Sequence, residues 1–382
     1  MLLYVSNATD YSIYNRLFQA GIVQGGYQAQ KFNHNIISGL SQYEQVTAIS
    51  TLPYTSVAAP KIDEMYDGIR YIAVENTAGT LHKPMNLFRL FWEGARLVRQ
   101  VRTTCILCDA YSLSPNYASR MIAAIFRIPI VGIVTDLPGL LDGKSKPSNK
   151  DLSRMQHFDG YILLTHAMNA LVNPQNKPYM IMEGIGAAEL PEYKSAQERH
   201  RVILYTGALW KKNAGIECLV EGFLQAKLDN YELHFYGTGE LVPWLEEIGR
   251  DNPSVKYMGC LTNEEIVCRQ CESALLVNPR PSNQEFCKYS FPSKTIEYMA
   301  SGTPMLTTKL PGIPQEYFNY CFTVEEETPN GFAVALDKAL REGRDGKIGV
   351  RAREFIKAEK SCSRQAKRIV SFLNECILTR NL

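Results

Sequence analysis

A chain of 382 residues is longer than one hydrophobic core comfortably serves and fits two domains. Its hydrophobic content of 45% and charged content of 21% are ordinary for a globular protein. A formal charge of +2 gives no support to nucleic acid as the main partner, and no apolar run reaches the length that spans a bilayer. The opening Met1-Leu2-Leu3-Tyr4-Val5-Ser6 lacks a basic stretch followed by a long apolar one, so it reads as a first strand rather than a secretion signal. The cytoplasm is the default compartment.

Strand-like and helix-like segments then alternate. After the strand at 2–6, residues 7–24 read as a long loop, and long loops in compact domains tend to be functional. Gly25-Gly26 opens a helical pattern over 27–40, with Phe32, Ile36, Ile37 and Leu40 at helical spacing. Further strands are expected at 45–50, 69–74, 104–108, 130–134 and 160–164, with helices at 85–101 and 115–126. Residues 183–200 have little periodicity and read as a linker. A second series of strands follows at 201–206, 232–236, 255–258, 274–277, 305–308 and 321–323, with helices at 215–226, 241–249, 263–270 and 329–342. Residues 350–377 form one long amphipathic helical pattern. Alternation of this kind argues for parallel sheets with helices on both faces.

Several chemistries are disfavoured. No G-x-G-x-x-G follows a strand, which counts against a dinucleotide enzyme, and no Gly-x-Ser-x-Gly elbow is present. Ten cysteines include two C-x-x-C spacings. Cys105 and Cys108 lie on an expected buried strand, where residues three apart point to opposite faces and cannot chelate together. Cys268 and Cys271 lie on an expected helix with no histidine at ligand spacing. The six histidines do not cluster, so no metal site is expected.

The richest stretch runs Tyr289-Ser290-Phe291-Pro292-Ser293-Lys294-Thr295-Ile296-Glu297-Tyr298-Met299-Ala300-Ser301-Gly302-Thr303-Pro304. It reads as a polar turn, a helix start and a Gly-Thr-Pro stop before a strand. Ser293 is the expected N-cap, and Pro292 stands where a missing N–H costs little. A helix N-terminus seats phosphate well. Lys294 adds a positive charge there, and Glu297, one turn on, offers a carboxylate suited to the vicinal hydroxyls of a ribose. A nucleoside diphosphate site is the consequence.

This segment resembles the donor-binding signature of the family 4 (group 1) retaining glycosyltransferases, in the subgroup that carries a Phe-Pro-Ser-Lys donor loop. In that family a Glu, seven residues and a second Glu precede an Ala-x-Gly-x-Pro run. Here the second is Glu297, and Tyr289 stands where the first falls. The resemblance is specific in residues 278–316 and weak along nearly the whole chain. It implies the GT-B fold: two Rossmann-like α/β domains with parallel sheets facing across a cleft. Expected divisions are an acceptor-side domain at 1–185, a nucleotide-sugar domain at 186–349, and a terminal helix at 350–382 that crosses back to the first domain.

The resemblance also distributes roles. Asp136, after the expected strand 130–134, would orient the acceptor hydroxyl or contact the donor sugar, unless it caps the Asp-Leu-Pro turn. Gly25 and Gly26 would bring backbone amides near the donor phosphates, or form a plain turn. The family has an Arg after a glycine where this chain has Gly207-Ala208, so Lys211, Lys212, Lys294 or Arg280 is needed to clamp the diphosphate. Lys212, Lys294 and Asp136 are the expected catalytic groups. Gly207, Lys211, Gly237, Arg280, Tyr289, Ser290, Phe291, Ser293 and Glu297 are expected to line the donor, with Glu285, Lys288 or Tyr289 a stand-in for the missing first Glu.

The implied reaction moves a sugar, with retention and without a metal, from a nucleotide diphosphate sugar to a glycan or lipid-linked hydroxyl. UDP is the expected carrier by family habit, and no cofactor is needed. Cell-surface polysaccharide, capsule or lipopolysaccharide assembly is the implied setting. Two alternatives stay open: a nucleotide-sugar epimerase and a non-catalytic nucleotide-sugar-binding protein. Residues 87–102 carry four arginines among large apolar groups. They read as a helix packed on its sheet, or as one resting on the inner face of an anionic membrane.

Overall fold

The computed structural model describes residues 1–23, 27–52, 57–77, 82–139, 147–187, 189–211 and 215–378. The chain divides into two compact units: Met1–Ala188 with Ser361–Leu382, and Glu189–Lys360.

The first unit is built on an eight-stranded sheet. Its strands are β1 (Leu2–Ser6), β2 (Val46–Ser50), β3 (Ile62–Tyr66), β4 (Ile69–Ala73), β5 (Cys105–Asp109), β6 (Ile130–Val134), β7 (Gly160–Leu163) and β8 (Tyr179–Ile181). Their order is β3-β4-β2-β1-β5-β6-β7-β8. All neighbours are parallel except β3 and β4. β1, β2 and β6 are buried along their whole length, as strands covered on both faces must be. Helix Tyr27–Ser41 and the terminal helix Cys362–Phe372 share a core with Tyr4, Leu107 and Ile133. On helix His82–Gln100, a side chain at Gly94 would collide with Ile122 of helix Leu113–Phe126 and crowd Ile49 of β2.

The second unit repeats the plan with six strands: β9 (His200–Thr206), β10 (Glu232–Tyr236), β11 (Val255–Tyr257), β12 (Ser273–Asn278), β13 (Met305–Thr308) and β14 (Phe322–Val324). Their order is β11-β10-β9-β12-β13-β14, parallel throughout. Ile203, Phe235, Val277 and Leu306 on one face pack with Phe223 and Leu336 from helices Ile216–Ala226 and Pro329–Glu342.

Four expectations are corrected. Residues 7–24 are not one long loop, because helix Tyr11–Gln19 occupies the middle. Asp10 caps it by accepting from the Ser12 amide at 2.8 Å, and Ile13, Tyr14 and Leu17 bury its inner face. β3 and β8 go beyond the expected strands. The pattern at 350–377 is not one helix. Helix Lys347–Phe355 passes through a wider turn at Ile356–Lys360, and Ser361 then starts a new helix by accepting from the Arg364 amide. The change of unit falls at that break, so residues 350–360 belong with the second unit and the returning segment begins at Ser361. At the other crossing the change falls at Ala188–Glu189 rather than 185–186.

Candidate active site

Parallel strands bring their carboxyl ends to one edge, where ligands bind in open α/β sheets. In the second unit that edge is made by the turns after β9, β10, β11 and β12 and by the start of helix Ser293–Ser301. Gly207 and Gly237 follow β9 and β10 with φ of 135° and 140°, a region that side chains disfavour. Their backbones stack closely. The Gly207 amide donates to the Tyr236 carbonyl at 2.8 Å, the Gly237 amide to the Gly259 carbonyl at 2.9 Å, and a Cβ on Gly237 would strike the Gly207 carbonyl. Tyr257 steadies the second turn, its hydroxyl donating to the Gly237 carbonyl at 3.0 Å.

Lys294 reaches this edge from the helix. A Cβ on Gly207 would collide with its ammonium, and that ammonium lies 4.8 Å from the centre of the Tyr205 ring. The residue as a whole is half-exposed, yet its charged end is enclosed. Burial first, and then the Arg280 charge, lower its pKa to about 8, against a smaller opposing pull from Glu297. Lys294, at the head of its helix, therefore lies within the field of both Arg280 and Glu297. Burial also pushes Tyr205 up to about 12, with Arg280 opposing, which keeps the ring neutral beneath the lysine. Arg280 lies 5.5 Å from the Phe286 ring centre, and its carbonyl accepts from the Thr308 hydroxyl.

Beneath the edge runs a buried polar chain. The Thr206 amide donates to the Tyr298 hydroxyl at 3.1 Å, and Gln270 donates to the Thr206 hydroxyl at 3.4 Å. The Thr303 hydroxyl in turn donates to the Gln270 carbonyl at 2.8 Å. Tyr298 thus ties the helix that carries Lys294 and Glu297 to β9, the strand that leads into Gly207.

The donor-loop residues take different places. Pro292, not Ser293, is the N-cap: it stands in extended backbone with ψ of 113° and has no N–H to satisfy, and Ser293 is the first helical residue and exposed. Phe291 is buried against Tyr317 with ring centres 5.3 Å apart, so its side chain is core rather than lining. The Ser290 carbonyl presses on Gly312. Tyr289 closes the short helix Glu285–Lys288 and its hydroxyl donates to the Glu285 carboxylate at 3.4 Å, while Lys288 pairs with the same carboxylate at 2.8 Å. Lys211 is drawn elsewhere: its ammonium is 3.4 Å from Glu217 and its amide donates to Glu240. Gly25, Gly26 and Lys212 lie outside the described residues.

In the first unit, Asp136 stands two residues beyond β6, half-exposed. Sequence reasoning missed its neighbours at the same edge. Thr51 after β2 donates to the Asn7 side chain at 2.5 Å, and Asn7 after β1 donates to Ser112 at 2.8 Å. Ser112 after β5 donates to the Asp109 carboxylate at 2.6 Å. Burial pushes the Asp109 carboxyl up, opposed by the bonds from Ser112 and the Tyr111 amide. The signal was present: an Asp at a strand end with Ser three residues on is the pattern of a side chain closing its own turn.

Residues 200–342 match the family model described as glycosyl transferases group 1. This stretch is a group 1 glycosyltransferase domain. Through it the chain is a glycosyltransferase, and the matched stretch contains Gly207, Gly237, Arg280, Lys294 and Glu297. No curated protein sequence matches the chain. Among solved structures, it resembles sucrose-phosphate synthase from Thermosynechococcus elongatus at 14% identity and a TM-score of 0.65, covering 98% of each chain. It resembles a variant of S. aureus TarM in complex with fondaparinux, alpha-GlcNAc-glycerol and UDP at 10% identity and a TM-score of 0.65, covering 98% of this chain and 100% of that one. HepE from Anabaena in complex with UDP matches at 10% identity and a TM-score of 0.61, covering 98% and 99%. At such identities the likeness is one of fold, and that fold is GT-B.

Proposed function

We propose that this glycosyltransferase uses a nucleotide diphosphate sugar, with UDP as the carrier, and transfers its sugar with retention to a hydroxyl of a glycan or lipid-linked saccharide. The observation that carries the reading is the Lys294 ammonium, enclosed at a helix N-terminus over the Gly207 turn and the Tyr205 ring and within the field of Arg280 and Glu297. The two cations and the helix end offer a preorganised field for charge developing on a leaving diphosphate, which is where electrostatic catalysis acts. They can do so without a metal. The absence of a side chain at Gly207 lets the Lys294 ammonium reach the turn itself, and Glu297, one turn further along the helix, suits the ribose diol. UDP bound to TarM and HepE supports the choice of carrier.

Asp136 is assigned to the acceptor hydroxyl. Retention follows if the leaving phosphate takes the acceptor proton on the face from which it departs. Cell-surface polysaccharide assembly at the inner face of the cytoplasmic membrane is the setting this chemistry suits.

The test is a thermal-shift panel of UDP, GDP and ADP with their sugars, on the wild type and on Glu297→Ala. Ligand that binds only the folded state raises the Tm by mass action. A UDP-selective rise that Glu297→Ala abolishes is expected. A charge-assisted hydrogen bond is worth about 1.5–3 kcal/mol, so the variant should bind roughly 10- to 150-fold more weakly. No rise with any nucleotide, from folded protein, overturns the donor site. Product analysis with excess chelator then checks retention and metal independence.

A further inference from the structure

We propose that helices His82–Gln100 and Leu113–Phe126 together form a docking surface for an anionic lipid bilayer. This deepens the reading above by placing the enzyme where a lipid-linked acceptor would lie, but it rests on a different part of the molecule.

The two helices pack side by side. Arg99 lies over the Phe126 ring at 5.4 Å, and Ile122 fills the notch at Gly94. Their outer faces are apolar where a surface helix should be polar. Phe88 and Trp92, one turn apart, are 60% and 59% exposed and stack on each other. On the second helix Leu113, Tyr117, Met121 and Ile125 recur every four residues and all stand out from the protein. Scattered exposed apolar residues are normal, but two adjacent stripes make a patch that calls for an occupant.

Charge selects the occupant. Within these helices the only carboxylate is Glu93, which is buried and held by Lys61 at 2.7 Å and by Arg96. Against it stand Lys83, Arg89, Arg96, Arg99 and Arg120, with Arg102 and Arg127 just beyond the helix ends. Arg89 reaches Glu75 at 3.0 Å from the neighbouring loop. The chain as a whole is nearly neutral, so this face concentrates positive charge that the rest of the molecule balances. Large apolar groups with an arginine fringe, and with acids only at its margins at Glu75 and at Asp159 beside Arg120 and Arg127, match the headgroup boundary of an anionic leaflet. A protein partner would need acids of its own, and a second copy would set arginine against arginine. No described helix is long and apolar enough to cross a membrane, so the surface rests on the bilayer.

The experiment is flotation of the full chain with vesicles of phosphatidylcholine alone or in equal parts with phosphatidylglycerol. Binding is expected only to the anionic vesicles, weakening with salt. Arg99→Gln with Arg120→Gln should reduce partitioning by about 30-fold at low salt, since each basic group near such a surface is worth about a factor of five. The conservative Trp92→Phe, which should leave the fold unchanged, should remove most of a blue shift in tryptophan emission on binding. No binding to anionic vesicles, or binding and emission indifferent to these variants, overturns the proposal. So does light scattering that shows a dimer dispersed by Trp92→Ser, which would make the patch a contact between copies. Nucleotide thermal shifts are unaffected by any of these outcomes, so the donor reading stands or falls separately.

Discussion

The two units are built on the same plan, yet their strand ends carry opposite chemistry. In the second unit the edge is bare backbone at Gly207 and Gly237, flanked by Lys294 and Arg280. In the first it is a chain of short neutral side chains, Thr51, Asn7 and Ser112, ending on the enclosed carboxylate of Asp109. One edge suits an anion that must come close to the main chain. The other suits hydroxyl groups that both give and accept hydrogen bonds. A shared architecture thus sets only where chemistry can occur, and a few side chains at the strand ends decide which.

Changes at the second edge should therefore act on the donor, and changes at the first on the acceptor. Lys294→Met should have the largest effect, lowering kcat/KM by roughly 10²–10³-fold through loss of one preorganised charge, with an unchanged far-ultraviolet spectrum. A loss under threefold would make Arg280 the main clamp.

Acidity offers the next cut. Diphosphate favours the protonated lysine, so donor binding takes up a proton wherever Lys294 is neutral in the free enzyme. Affinity for UDP should be full below about pH 8 and decline above it by up to about tenfold per pH unit, with a flat profile in Lys294→Met. The stability of the ligand-free protein should respond with the opposite sign. Between about 8 and the ordinary lysine value of 10.5, the unfolded chain binds more protons than the folded one at this site, so stability rises with pH. Calorimetric titration and denaturant midpoints across that window would show whether the two slopes oppose.

Smaller effects separate support from contact. Tyr298→Phe leaves the buried Thr206 amide without its acceptor and should cost about 1–3 kcal/mol in a urea titration. If Tyr298 also positions the donor edge, the KM for donor should rise while the acceptor KM holds. Asp109→Asn should do the reverse, raising acceptor KM by roughly tenfold or less, as expected when a carboxylate acceptor is exchanged for a neutral one. An equal change in both constants would blur the division between the edges.

Much of the fold was legible because parallel strands buried on both faces read as plain apolar runs. Helix Tyr11–Gln19 was missed although Asp10 announces it, since its buried positions are few and its outer face is polar. β3 was missed because Ile62–Tyr66 is an edge strand with mixed exposure, although Asp67-Gly68 at positive φ is the two-residue hairpin signal that follows it. In the site, Lys294 and Glu297 were legible from one local motif. Tyr205 and Tyr298 were not, because each acts through a residue about ninety positions away in the chain. Phe291 and Ser293 were misplaced because a sequence motif specifies neither which side chain of the loop turns into the core nor the residue at which the helix starts.

The terminal helix carries a consequence for how the protein is made. Its Cys362 carbonyl and Ala366 methyl press against Gly39 so closely that no side chain fits there, and Ile369, Phe372 and Ile377 complete the core around Tyr4 and Leu107. A ribosome delivers the first unit's sheet long before it delivers this cover. The unit synthesised first is therefore the one finished last, and until the segment from Ser361 emerges it must wait with one apolar face unsealed while the second unit is already whole.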